Sequence, residues 1–245
     1  MNTIEEFISS LRKYSHLVGF KIDLEMARKI EEIQLKIIKD IDEKIKDIDL
    51  SDLNNFVSEL SKKNIMQEFI MEASQELGEG IGIKDADNAL KEALEGNMNI
   101  KGARSSLIVL QAISRFFAEK YEKNNGQIIN ESPYCPVCGS ESKTMIKDGN
   151  RYKMICHFCG YTWIVSNNGL VCPFCGNREE FSLGFFSDRE ERIGLMYCQR
   201  CGSDWRIILD ESIKAPSILL PLIALGGEKF RGALPGNANK SIDNS

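Results

Sequence analysis

The chain has 245 residues, with 31 basic and 36 acidic side chains, a net charge of −5 and 42% hydrophobic residues. This acid excess argues against a protein that binds nucleic acid through a broad basic surface. The N-terminus lacks the apolar core of a signal peptide, and no apolar run approaches the roughly 20 residues of a membrane-spanning helix. We therefore expect a cytoplasmic protein without membrane insertion.

The first half of the chain carries helical periodicity. Apolar residues recur at steps of three and four, which is typical of a long amphipathic helix: Ile22, Met26, Ile30, Ile33, Ile37, Ile41, Ile45 and Ile48. Further helices are predicted at about 52–60, 64–78, 85–95 and 103–123, with Asp85 as an N-cap and Gly96 just beyond a C-terminus. We predict an α-helical bundle over residues 1–123 and a linker over 124–133.

All eight cysteines fall in Cys-x-x-Cys pairs, and each pair is followed directly by glycine. The pairs are Cys135/Cys138, Cys156/Cys159, Cys172/Cys175 and Cys198/Cys201, and the glycines are Gly139, Gly160, Gly176 and Gly202. Glycine adopts a positive φ at little cost, which a turn that brings two sulfurs toward one ion requires. The pattern is that of a rubredoxin or zinc-ribbon knuckle.

Three chemistries are open to such pairs, and the number of pairs favours metal binding. A redox dithiol needs one motif at the start of a helix in a thioredoxin-type fold, whereas this chain has four at ribbon spacing. A disulfide framework needs an oxidising compartment, which the expected cytoplasmic location does not provide.

An internal repeat indicates which pairs share an ion. The first unit runs CPVCGS and then KMICHFCGYTWIV, and the second runs CPFCGN and then GLMYCQRCGSDWRII. Trp163 and Trp205 occupy equivalent positions, four residues after the last cysteine of each unit. We assign Cys135, Cys138, Cys156 and Cys159 to site 1, and Cys172, Cys175, Cys198 and Cys201 to site 2. An interleaved cross-brace remains the alternative.

Four thiolates leave no open coordination position, so each site is structural or transfers electrons, and catalytic zinc is excluded. The only histidine near the cysteines, His157, is expected at an exposed knuckle tip, and His16 belongs to the first helical segment. The sequence shows no nucleophile and base pair, and we predict no catalytic residues and no enzyme. Tetrathiolate coordination suits both iron and zinc.

A nucleic-acid-binding ribbon would need a basic stripe, and the ribbon region does not show one. Its arginines alternate with acids: Arg178, Arg189, Arg192 and Arg200 stand among Glu179, Glu180, Glu190 and Glu191. No nucleic-acid partner is expected.

The ordered motifs CPVCGS, CHFCGYTW, VCPFCGN and YCQRCGSDW, between Tyr134 and about Ile208, resemble those of the formate dehydrogenase accessory protein (FdhE) family. Toward the C-terminus, APSILLPLIALGGEKF lacks the acidic pairs that the family usually shows. Before residue 130 the likeness is limited to a helical domain of similar length.

The resemblance implies two rubredoxin-like sites formed by the eight cysteines, with iron as the expected ion and zinc as the alternative. It also implies a cytoplasmic maturation chaperone that binds the catalytic subunit of a molybdenum- or tungsten-dependent formate dehydrogenase. Two other functions stay open: a rubredoxin-like electron-transfer protein, and a zinc-ribbon protein that binds nucleic acid.

The predicted class is α+β: an N-terminal α-helical bundle, two tandem rubredoxin-like modules and a short C-terminal helix. The modules span residues 134–169 and 170–211, and an apolar helix with a flexible tail spans 212–245. The apolar side chains from Ile218 to Leu225 cover almost the whole circumference of a helix, so most should be buried. We expect them to pack between bundle and ribbons, or else to form part of a surface that receives the partner.

Overall fold

The computed structural model describes residues 3–45, 52–187, 190 and 192–235. Ile48, Arg189, Glu191 and the predicted tail beyond residue 235 lie outside the described residues. The chain forms two compact units, one of Glu25–Asn124 and one of Met1–Leu24 together with Asn125–Ser245. Helices dominate the N-terminal half, and two four-cysteine modules with a short helix follow, which confirms the predicted α+β class. None of the described helices is long and apolar enough to cross a membrane.

The helices follow the predicted order closely. They are α1 (Ile4–Val18), α2 (Leu24–Lys44), α3 (Leu53–Lys62), α4 (Ile65–Glu76), α5 (Ala86–Leu94), α6 (Ala103–Asn125) and α7 (Leu220–Ala224). Asp85 precedes α5 as predicted, although its side chain makes no capping hydrogen bond. Gly96 follows α5 with a φ of +86°, the left-handed conformation that ends a helix.

The helical unit, α2–α6, has a core of its own. The predicted stripe of α2 is buried at Ile33, Ile37 and Ile41, whose side chains are at most 4% exposed. Phe56 of α3 stacks on Phe116 of α6 with ring centroids 6.0 Å apart. Burial of large apolar side chains such as these contributes about 1.5–3 kcal/mol each, so the unit has a substantial hydrophobic driving force.

A buried ion pair joins α2 to α6 inside this core. The Arg115 guanidinium donates to both carboxylate oxygens of Glu31 at 2.8 and 2.9 Å, and also to the Gln34 side-chain oxygen. The Gln34 amide in turn donates to Gln111 at 2.6 Å. Glu31 is 3% exposed and Arg115 is 9% exposed, so neither charge is compensated by bulk water. This network sets one register between two helices whose apolar contacts alone are less specific.

We expect Arg115→Ala to lower the free energy of unfolding of the helical unit by about 3–5 kcal/mol, because Glu31 would remain buried without a counter-ion. Denaturant unfolding followed by the far-ultraviolet helical signal measures this change. The matched control is Lys39→Ala, which removes an exposed pair with Glu43 on α2 and should cost less than about 1 kcal/mol. Equal losses in the two variants would contradict the role given to the buried pair.

Helix α1 belongs to the cysteine-rich unit, whereas the sequence prediction grouped it with the bundle in residues 1–123. Its buried face, which includes Phe7, Ile8 and Leu11, packs on α7 and on the 3₁₀ segment Leu225–Ala233. The Tyr14 hydroxyl accepts a hydrogen bond from the backbone N–H of Lys214 at 3.0 Å. An amphipathic pattern shows that a helix has a buried face, but it does not identify the element that covers this face.

The two ribbon modules share one mixed β-sheet, which contains both antiparallel and parallel strand pairs. The strands are β1 (Thr144–Asp148), β2 (Arg151–Ile155), β3 (Thr162–Ser166), β4 (Leu183–Ser187), β5 (Ile193–Cys198) and β6 (Asp204–Ile208), in the order β3-β2-β1-β6-β5-β4. Each module contributes a three-stranded antiparallel meander. Parallel pairing of β1 with β6 joins them, with Met145 opposite Ile207. The sequence repeat therefore becomes a structural repeat in a continuous sheet.

The predicted linker also contributes to the first module. Asn130 donates its backbone N–H to the Ile164 carbonyl at 2.8 Å, and Ile164 donates to the Ile128 carbonyl at 2.9 Å. Part of the segment 124–133 thus lies hydrogen-bonded along β3. It shields that edge strand, whose backbone groups would otherwise be unpaired.

The apolar C-terminal segment is helical from Leu220 to Ala224, within the range that the sequence predicts, and is extended on both sides by 3₁₀ turns. It packs against α1, β1 and β6, all in the cysteine-rich unit. Leu219, Leu220 and Ile223 are buried. The segment is therefore a packed element within that unit.

The 3₁₀ segment that follows α7 contains two adjacent glycines, which allow it to pass between the backbones of α1 and β5. A Cβ on Gly226 would overlap the carbonyl oxygen of Leu17 in α1, and one on Gly227 would lie 2.6 Å from the carbonyl oxygen of Gly194 in β5. Neither clash could be relieved by rotating a side chain, because backbone atoms are on the other side. The Gly-Gly pair is thus required by close approach.

We expect Gly226→Ala to destabilise the cysteine-rich unit by about 1–3 kcal/mol through overpacking against α1. Gly232→Ala is the matched control, because it lies in the same 3₁₀ segment and its Cβ would meet no atom within 4 Å. Denaturant unfolding of the metal-loaded protein, followed by tryptophan fluorescence, measures both, since both tryptophans belong to this unit. Similar stabilities of the two variants would show that the backbone can move aside.

Candidate metal centres

The four Cys-x-x-Cys-Gly turns have the same backbone geometry. In each, the glycine N–H donates to the carbonyl oxygen of the first cysteine at 2.8–3.1 Å. The N–H of that cysteine donates at 2.9 Å to the carbonyl of the residue that follows the glycine. The glycine φ values lie between +70° and +77°, as predicted. These hydrogen bonds close the turn so that both sulfurs of a pair point to the same side.

The knuckles converge in the order that the repeat predicts. Cys135, Cys138, Cys156 and Cys159 form one group, and Cys172, Cys175, Cys198 and Cys201 form the other, with all sulfurs of a group within 4.8 Å of one another. The contacts that join the two knuckles of each group are 3.4–3.7 Å between sulfurs. The sequential pairing is thus the one that the fold brings together, and the cross-brace is not.

The sulfur spacing fits a tetrahedral metal ion. Metal–sulfur bonds of about 2.3 Å in a tetrahedron place the sulfurs about 3.8 Å apart, close to the distances in both groups. A disulfide needs a sulfur–sulfur bond of about 2.05 Å, and all eight cysteines are free. Each group could therefore hold one ion, and the donor set suits iron and zinc equally.

The electrostatics of site 1 favour a bound cation. Hydrogen bonding with Cys135 lowers the pKa of Cys138 and of Cys156, whereas hydrogen bonding with the other cysteines raises the pKa of Cys135 and of Cys159, so two of the four sulfurs have thiolate character. The backbone N–H groups of Phe158 and Cys159 point at the Cys156 sulfur at 3.4 and 3.5 Å. Thiolates are the species that bind a metal, and N–H donors stabilise their charge.

Site 2 has its own supporting groups. Desolvation acts to raise the pKa of the Cys201 thiol, but hydrogen bonds from the side chain and backbone of Ser203 lower it to about 7. The Asn177 side-chain amide lies 3.7 Å from the Cys198 sulfur and also donates to the Ser182 hydroxyl. Asn177 is only 2% exposed.

Asn177 is a functional candidate that the sequence analysis missed. It directly follows the glycine of its knuckle, a place taken in the other knuckles by Ser140, Tyr161 and Ser203. The Ser140 hydroxyl lies 3.4 Å from the Cys138 sulfur, so this position supports a ligand in both sites. The repeat alignment could have drawn attention to it, because three of the four residues there carry a short polar side chain.

The two tryptophans anchor the modules to the sheet, as their equivalent positions suggest. Trp163 pairs with Met154 across β3 and β2, and Trp205 pairs with Met196 across β6 and β5. Both indoles are fully buried. The Trp163 N–H donates to the Ser132 carbonyl at 3.0 Å. The Trp205 N–H has no hydrogen-bond partner among the described residues.

The histidines lie as predicted. His157 is exposed at a knuckle tip and is not part of either sulfur group, and His16 lies on α1.

The comparisons with known proteins bear on the fold. No family model matches the chain, and no curated protein matches it in sequence. Among solved structures, the crystal structure of the FdhE protein from Pseudomonas aeruginosa matches with a TM-score of 0.50 and 13% sequence identity, covering 95% of this chain and 92% of that chain. The resemblance that the cysteine motifs indicate therefore extends to the fold of nearly the whole chain.

We expect the purified protein to hold two metal ions per chain, each with four sulfur ligands at about 2.3 Å. Cys135→Ser should remove one ion and unfold the first module, because metal binding supplies much of the folding energy of so small a module. The helical signal of α2–α6 should persist, since that unit has its own core. Elemental analysis, X-ray absorption and circular dichroism test these points. A nitrogen ligand, or loss of the bundle with the metal, would contradict the assignment.

Proposed function

We propose that this protein belongs to the FdhE family and acts as a non-catalytic maturation factor for formate dehydrogenase, binding the catalytic subunit of that enzyme during assembly in the cytoplasm. The observation that carries the proposal is the tandem pair of four-cysteine groups, in the family's order, set in a fold shared with an FdhE protein over 95% of the chain.

The chemistry of the two sites supports a role other than catalysis on a substrate. Each group has four sulfurs converging on one point, and an ion held by all four has no vacant position for water or substrate. The bound metals would serve to hold the modules folded. Coordination by four cysteines would fix the orientation of the two knuckles at each site. The shared sheet would keep the two sites at a fixed distance and orientation from each other.

A second function has one specific observation in its favour. Cys175 and Cys201 are exposed, so an iron ion at site 2 would lie near the surface, as electron transfer between proteins requires. We place it second because it accounts for neither the helical unit nor the fold shared over 95% of the chain.

The decisive experiment co-expresses a tagged form of this chain with the catalytic subunit of formate dehydrogenase from the same organism. We expect the two to co-purify, and we expect deletion of the gene to abolish formate dehydrogenase activity while the catalytic subunit is still made. Cys135→Ser/Cys172→Ser should fail to restore activity, and Lys39→Ala, an exposed bundle variant, should restore it.

Two results would contradict the proposal. One is full formate dehydrogenase activity in the deletion strain. The other is formate oxidation by the purified chain alone. A reversible iron couple in a chain that does not bind the catalytic subunit would favour the electron-transfer function instead.

A further inference from the structure

The two sulfur groups differ in their exposure to solvent. In site 1, Cys135, Cys156 and Cys159 are between 0% and 4% exposed, and only Cys138 is partly exposed. In site 2, Cys172 and Cys198 are fully buried, whereas Cys175 and Cys201 are both exposed. The two modules are alike in the backbone of their knuckles, and they differ in the segments that lie around them.

Segments outside the repeat cover site 1. A Cβ on Gly160, in its second knuckle, would lie 3.2 Å from the Ser217 hydroxyl and 3.5 Å from the Ile218 backbone nitrogen. The C-terminal segment therefore passes directly over this knuckle. The neighbouring Tyr161 is 2% exposed and donates its hydroxyl to the Gly126 carbonyl at 3.0 Å. The second knuckle of site 1 is thus covered from two directions, whereas a Cβ on Gly139, in its first knuckle, would meet no atom within 4 Å.

Site 2 has no comparable cover among the described residues. A Cβ on Gly176 or on Gly202 would meet no atom within 4 Å, so both of its knuckles face open space. The exposed sulfurs come one from each knuckle, on Cys175 and Cys201. A competing ligand could therefore reach an ion bound at site 2 from outside, and could take the place of either exposed sulfur.

We propose that site 2 is an exchange site for a thiophilic divalent ion, opened through Cys175 and Cys201, while site 1 retains its ion beneath the C-terminal segment. Thiolate sites lose metal when another ligand or an electrophile reaches the metal or a bound sulfur, and access follows exposure. The buried sulfurs Cys172 and Cys198 keep half of site 2 in place during exchange. The C-terminal segment, which lies outside the repeat, is the element that makes the two sites unequal.

This inference does not depend on the formate dehydrogenase proposal, because it concerns only how each ion is held. It assigns different chemistry to two sites that have the same ligand set. The exchangeable site can take up, give up or replace an ion while the rest of the unit remains folded.

The test uses the full chain loaded with zinc and a chromogenic zinc chelator in excess. We expect release in two phases, with one of the two ions leaving in the fast phase. Iodoacetamide added during that phase should alkylate Cys175 and Cys201, with the thiolate sulfur displacing iodide, and peptide mass spectrometry identifies the modified cysteines. Release in a single phase, or early alkylation at Cys135, Cys156 or Cys159, would overturn the proposal.

Two variants separate the sites. Cys175→Ser should abolish the fast phase and leave the slow one, and Cys156→Ser should do the reverse. If Cys175→Ser instead removes the slow phase, the assignment of the sites is wrong. Because a ligand variant can unfold its module, the phases and alkylation of the wild-type chain remain the primary evidence.

The cover is tested without changing a cysteine. Replacing Ser217 and Ile218 together by glycine should loosen the segment over Gly160, speed the slow phase and leave the fast phase unchanged. Arg151→Ala removes an exposed ion pair with Asp148 at the β1–β2 turn of the same unit, away from the cysteine knuckles, and should change neither phase. An unaltered slow phase in the Ser217 and Ile218 variant would overturn the assignment of this segment as the cover.

Discussion

The cysteine-rich unit depends on a backbone turn that can direct two sulfurs to one point. In the Cys-x-x-Cys-Gly turn, the carbonyl oxygen of the first cysteine must accept a hydrogen bond, and the fifth residue must have a positive φ. Glycine adopts a positive φ at little cost. The same pair of hydrogen bonds recurs in all four knuckles, from Cys135 to Gly202. Four converging thiolates repel one another without a cation, so a bound metal would stabilise this geometry and contribute to folding.

The duplication has a structural consequence beyond two separate sites. The third strand of the second module lies beside the first strand of the first module, with Ile146 opposite Ile208. Each module thereby gains a neighbour along a sheet edge that would otherwise expose unpaired backbone groups. A ribbon module is too small to bury much apolar surface alone, so sharing one sheet supplies burial for both. The modules are equal partners in this sheet, but their surroundings are not equal.

Elements from both ends of the chain create that inequality. Helix α1 and the segment after residue 212 pack together, and Gly226 lets their backbones approach closely. The segment then runs over the Gly160 knuckle, while the Gly176 and Gly202 knuckles stay open. The helical unit has a separate source of specificity in the buried pair of Arg115 and Glu31. Charges at that depth are costly unless paired, and this cost penalises other registers of α2 and α6.

Features that depend on local residue spacing can be predicted from the sequence. The knuckle glycines, the assignment of four cysteines to each site and the helices from α2 to α6 follow from residue patterns within a few turns of chain, and the structure agrees with them. Tertiary structure alone decided what depends on contacts between distant residues: the unit to which α1 belongs, the β1–β6 pairing, the close approach at Gly226 and the cover over Gly160. Periodicity reports that a face is buried and a repeat reports that two modules are alike, but neither specifies the partner surface. That partner is selected by the sum of packing contacts across the folded chain.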